Sequence, residues 1–234
     1  MRKKVLLSVV LVMALPWRVA AQSQTTGEFW PAAEAHVQLS ENTAMLGFVG
    51  LKKGEDFAQQ EVNAGIGAGY QWKHITKPHL INIDPEKEHF FSLGGGYERI
   101  DTLQSGTKGY ENRIVLQALG GFRPTSRLYV YDRNRGELRW INGTYSTRYR
   151  NLLFGEYDIS IHNFRFSPYA SAEVFYSGAA GSWNEGQYSG GFEWPYKRIL
   201  MIQTYYLREN CTTCTPGHLN VGGLTLNLFL GKRD

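Results

Sequence analysis

Residues 58–72 read AQQEVNAGIGAGYQW, and from Glu61 onward they split into two alternating sets. Val62, Ala64, Ile66, Ala68, Tyr70 and Trp72 form one set, and Glu61, Asn63, Gly65, Gly67, Gly69 and Gln71 form the other. A period of two belongs to extended chain, in which successive side chains leave opposite faces of a sheet. One face of this strand is therefore apolar, and the other is polar or bare.

The division recurs along the chain. In residues 110–123, Tyr110, Ile114, Leu116, Ala118 and Phe122 stand against Glu111, Arg113, Gln117 and Arg123. In 186–194, Tyr188, Phe192 and Trp194 oppose Gln187, Ser189 and Glu193, and in 219–230 Leu224, Leu226, Leu228 and Leu230 oppose Thr225 and Asn227. Such runs exceed the roughly 5–6 residues usual in soluble strands and reach the roughly 9–11 that a tilted strand needs to cross hydrocarbon.

Further strands are expected at 30–39, 43–51, 89–100, 127–141, 144–157, 165–176 and 198–208, which makes eleven. Single-chain bacterial barrels normally hold an even number. A short twelfth strand is therefore expected at 79–83, inside the long connection 73–88; ten strands result if the first segment does not span. The fold expected is all-β, a transmembrane antiparallel up-and-down β-barrel of about 12 strands, since only closure satisfies every backbone group in lipid. Connections at 101–109, 178–185 and 209–218 are placed outside, and the turns around Pro124 and Pro195 on the periplasmic side.

Arg2, Lys3 and Lys4 precede an apolar run from Val5 to Leu15, and Val19 and Ala21 supply the small residues of a cleavage site. This is the layout of a secretory signal peptide over residues 1–21, leaving one barrel domain at 22–234. The mature chain has no second apolar run long enough for a membrane helix. With 26 Gly, 14 Tyr, 12 Phe and 6 Trp but only 42% apolar residues, the composition suits a wall with one oily and one polar face. The net charge of +4 falls to about zero without Arg2, Lys3, Lys4 and Arg18, so it argues for no nucleic-acid partner.

The densest charges lie in YDRNRGELRW and in YSTRYRNLLFGEY. Arg133, Arg135, Glu137 and Arg139 share one strand face; Arg148, Arg150 and Glu156 share another; Glu111 and Arg113 precede them. An Arg turned to the bilayer centre costs about 2–4 kcal/mol. All nine are therefore expected inside, as a ladder of guanidinium forks crossed by carboxylates. Such a network stiffens the interior, and a surplus of Arg on one wall would draw a small anionic solute. Glu98, Glu173 and Glu193 are further acids able to offset it. Trp30, Trp72, Trp140, Trp183 and Trp194, near strand ends, are candidates for interface anchors.

Cys211 and Cys214, in a turn-rich segment with Pro216 and Gly217, are expected to form a loop disulfide rather than a redox dithiol. His36, His74, His79, His89, His162 and His218 are scattered, and no metal or cofactor motif is found. An enzyme is not expected. The alternative of an outer-membrane lipid hydrolase rests on Ser160 and His162, which share a strand face, with Glu156 nearby. Barrel phospholipases and lipid A deacylases read His, one residue, Ser, whereas this chain has Phe164 two residues after His162.

Trp30, Gly96-Tyr97, Glu111-Asn112-Arg113, the run from Arg133 to Arg139 and Arg148-Tyr149-Arg150 together resemble a bacterial outer-membrane family known as domain of unknown function 2490. The likeness covers nearly the whole mature chain, and departs from the family at Ala172-Glu173 and at Gln187-Tyr188. It implies the outer membrane and a barrel, and brings no mechanism. The functions expected are a structural or small-solute barrel with an Arg/Glu-filled lumen, a lipid hydrolase, or an accessory barrel meeting a partner protein through its loops. Outer-membrane lipid is the partner common to all three.

Overall fold

The computed structural model describes residues 25–54, 59–77, 80–81, 83–103, 108–215 and 217–231. The signal peptide expected over residues 1–21, with its cleavage point, lies outside these residues. Among them run twelve strands: β1 (Thr25–Ser40), β2 (Thr43–Lys53), β3 (Gln59–His74), β4 (His89–Thr102), β5 (Gly109–Phe122), β6 (Leu128–Ile141), β7 (Thr144–Tyr157), β8 (Ile159–Ile161), β9 (Phe164–Ser177), β10 (Ser182–Tyr196), β11 (Leu200–Cys211) and β12 (His218–Gly231). A 3-10 turn, Pro85–Glu88, precedes β4. No helix among the described residues is long and apolar enough to cross a membrane.

Each of the eleven segments expected from alternation is a strand, most of them longer than expected by one to several residues. Neighbours pair antiparallel around the sheet, and β12 closes it by pairing with β1. Eleven strands thus make the ring. An odd ring brings its first and last strands together running the same way, and here the closure is parallel: Thr25 lies opposite His218 and Gln38 opposite Gly231. The twelfth strand is β8, not residues 79–83, whose described members Leu80, Ile81 and Ile83 lie in bends and a turn. β8 extends β7 past Asp158 in one register against β9, with Glu156 facing Tyr169 and Ile159 facing Phe166.

The ring has two ends. One, called upper here, carries connections 103–108, 142–143, 178–181 and 212–217; the other, lower, carries 41–42, 75–88, 123–127, 162–163 and 197–199. The longest connection is therefore at the lower end, where its Ile81 and Ile83 pack with Met201 and Phe229.

Along the strands burial alternates as the side chains do. Ile66, Tyr70, Trp72, Ile114, Leu116, Leu226, Leu228 and Leu230 are exposed, whereas Gln71, Glu111, Thr225 and Asn227 are buried. Exposed aromatics gather at two heights: Tyr97, Tyr110, Tyr145, Trp183 and Tyr206 toward the upper end, and Trp72, Phe122, Tyr157, Phe164 and Tyr196 toward the lower. Polar groups on this outer face are tied to each other. Toward the upper end Arg99 binds Asp101 and Asn112, and Arg208 binds Asn220. At mid-height Asn151 donates to Asp132 at 2.9 Å and to Asn134 at 3.3 Å.

In the upper connection that follows β11, Cys211 and Cys214 form a disulfide, with Cα atoms 5.3 Å apart. Closing so short a loop contributes about 2 kcal/mol by chain entropy. Reduction is expected to leave the ring folded, as read by gel migration of unheated against heated protein. Unfolding on reduction would contradict that.

Candidate functional site

The inner face carries charge in two tiers. The upper tier is built by β4 to β7 and β9. Register alone would be unfavourable here, because Arg113 lies directly opposite Arg139, and Arg135 directly opposite Arg150. Carboxylates on the diagonals resolve this. Glu111 takes Arg139 at 2.5 and 3.0 Å and Arg113 at 2.5 and 3.1 Å, both as two-pronged pairs. Glu173 takes Arg150 at 2.7 Å and Arg133 at 3.0 Å. Glu98 is bonded to Arg135 and lies 3.5 Å from Arg113.

Glu137 stands at the centre of the tier, 1% exposed. It accepts from Arg148 Nε at 2.7 Å and from Arg150 Nη1 at 3.2 Å, and Arg135 Nε lies 2.9 Å from its Oε1. Six arginines therefore share four glutamates, and Phe175 supplies a ring face 4.6 Å from Arg150. Sharing of this kind holds each guanidinium in one orientation, because moving any one leaves a buried carboxylate short of a donor.

The lower tier comes from the connection between β3 and β4. Asp84 caps the 3-10 turn by accepting from Glu86 N at 2.9 Å, and Pro85 supplies a preset φ at its first position. The turn delivers Lys87 across the inside of the ring. Its Nζ lies 2.5 Å from Glu156 Oε2 on β7 and 2.6 Å from Glu193 Oε2 on β10. Arg123 Nη2 holds the Lys87 carbonyl at 3.3 Å, and Glu86 reaches within 3.7 Å of His36 on β1. Burial would lower the Lys87 ammonium, but Glu156 and Glu193 outweigh it and hold its pKa well above the ordinary 10.5.

Cavities lie above and between the tiers. The upper one, about 410 Å³, has Arg113, Arg139 and Arg148 on one side and Glu61, Glu185 and Glu209 on the other. A smaller one, about 120 Å³, touches Glu86 below and Glu98 and Arg135 above. The glycines of β3 and β4 line it, where the two strands lie so close that a Cβ on Gly96 would come within 2.6 Å of the Ile66 carbonyl.

A family model described as Protein of unknown function (DUF2490) matches residues 29–216. The chain belongs to the DUF2490 family. The matched residues hold every charged group of both tiers. No curated protein and no solved structure matches the chain.

Of the charged residues singled out in this DUF2490 sequence, Glu111, Arg113, Arg133, Arg135, Glu137, Arg139, Arg148 and Arg150 come together in the upper tier. Glu156 is set apart from them, on Lys87. Ser160 and His162 are exposed at the lower rim, His162 with φ 55°, while Glu156 is buried inside the ring. Trp30, a candidate anchor, lines the upper cavity, its Nε1 2.6 Å from Glu28 and Lys52 Nζ 4.7 Å from its ring. Sequence reasoning missed Lys87. Its one local signal was Asp84-Pro85, an N-cap followed by a helix-starting proline inside the long connection.

Proposed function

We propose that this DUF2490 protein is a non-conducting outer-membrane barrel whose lumen is filled by its own ion pairs, leaving one shallow polar recess at the upper end. One observation supports it above others: an outer face of exposed Leu, Ile and aromatic side chains surrounds an inner face whose charges are matched to each other. Tyr110 and Phe122 are twelve residues apart on β5, which at the usual strand rise and tilt is about 30 Å, the thickness of a hydrocarbon layer.

The upper connections then face outward and the lower ones the periplasm. The ring strands, 11 to 16 residues long, match or exceed what a membrane needs, and the surplus lies at the upper end, where Arg99, Asp101 and Arg208 stand on the outer face. Closure falls to the lower tier, where the turn carrying Lys87 is tied to Arg123, just past β5, and to β7 and β10. The recess offers arginine on one side to a small anion, with Glu61, Glu185 and Glu209 opposite setting its charge preference. The reading assigns no catalytic step.

Reconstitution of the mature chain in planar bilayers tests it. Insertion without current steps above baseline is expected between pH 6 and pH 9. A large, stable conductance would overturn closure, and a processed chain that stays soluble without detergent would overturn the membrane assignment.

A further inference from the structure

A cavity of about 770 Å³ with basic lining lies at the lower rim, between the turn before β9 and the turn joining β10 to β11. Its outer wall is Phe164, Trp194 and Ile202, and the rings of Phe164 and Phe166 lie 5.5 and 5.4 Å from that of Trp194. Its floor is Leu80 and Ile81 of the in-turned connection, fixed in place because Arg165 Nη1 donates to the Leu80 carbonyl at 3.2 Å and Leu80 N donates to Asp158 at 3.2 Å. Around its mouth stand Arg165, Lys197 and Arg198, all exposed, and no acidic side chain is among its described lining residues.

Apolar walls beneath three cations match one chemistry, an amphiphile with a negative head. We infer that this cleft is a binding site for an anionic phospholipid, its phosphate between Arg165, Lys197 and Arg198 and the start of an acyl chain against Trp194 and Ile202. The inference rests on the membrane reading above, which puts this rim at the level of the headgroups. Charge complementarity favours lipid over a partner protein: near a membrane surface each Lys or Arg adds to the attraction of an anionic head, and the three act together. Guanidinium forks also suit phosphate oxygens in two-pronged pairs. The volume exceeds what an inorganic ion fills, and the apolar half would stay unmatched by it.

The mature chain, folded in a non-ionic detergent, is titrated with dioleoylphosphatidylglycerol, with dioleoylphosphatidylcholine and with inorganic phosphate, and bound lipid is counted by native mass spectrometry. One phosphatidylglycerol is expected to be retained at a concentration at least about tenfold below that for phosphatidylcholine. The variant Arg165→Ala/Lys197→Ala/Arg198→Ala is expected to hold both lipids alike. Should that variant not fold, Lys197→Glu, at an exposed turn, is expected to lower the preference about threefold or more. Equal retention of the two lipids by the native chain, or a preference that survives these substitutions, would overturn the site while leaving the membrane barrel standing. Displacement of phosphatidylglycerol by equimolar inorganic phosphate would mark an ion site and overturn the lipid assignment. A chain that needs no detergent and retains neither lipid would bring down both.

Discussion

Lys87→Met is expected to destabilise the folded barrel by about 3–5 kcal/mol and to open a current path through it. Methionine is long enough to occupy the same space, so the loss is electrostatic. Glu156 and Glu193 would then face each other inside the ring with the cation between them gone. Removing one partner of a buried pair costs more than the pair contributes, because the remaining charge stays desolvated. Denaturant titration of vesicle-folded protein measures the first effect and planar-bilayer recording the second. A midpoint unchanged from the native chain would mean the lower tier does not hold the connection in place. The pH dependence has a definite sign. Lys87 titrates higher folded than unfolded, so its contribution is complete below about pH 10 and fades as pH rises through the elevated folded value. Current steps appearing at mildly alkaline pH in the native chain would contradict it.

Glu137→Gln is the second large effect, also about 3–5 kcal/mol. The substitution keeps shape and removes charge where Arg135, Arg148 and Arg150 converge. Six arginines would then share three carboxylates. A second change, Arg148→Met, should recover part of the loss, since it removes one of the stranded cations; the non-additivity is the measure of the pair. Asp101→Asn, at a surface pair with Arg99, is expected to leave the midpoint where it was. Equal effects at Glu137 and Asp101 would show that burial does not govern these pairs.

Much of the wall was legible because alternation is local. Each residue of 58–72, 110–123 or 219–230 reports its own face, and a strand of that length has few other homes. Ring closure was not legible in the same way. An even count assumes antiparallel closure, and nothing in β1 or β12 announces that its partner runs parallel. The arginine tier was legible as a face but not as pairs: register decides that Arg113 meets Arg139, and only then does Glu111 become the shared acceptor. Glu156 shows the limit. It shares a face with Arg148 and Arg150, yet it lies far enough down β7 to meet Lys87 from a connection with no periodicity to read. Lys87 itself looks like any surface lysine until the turn at Asp84-Pro85 directs it inward.

Nitroxide labels placed one at a time at Leu224, Thr225, Leu226, Asn227, Leu228 and Phe229, in the chain folded into phospholipid vesicles, test the two-faced wall most directly. Collision with oxygen should be high at Leu224, Leu226 and Leu228 and low at the three residues between. Accessibility without that alternation, or even-numbered positions reached better by a water-soluble nickel reagent than by oxygen, would contradict the account.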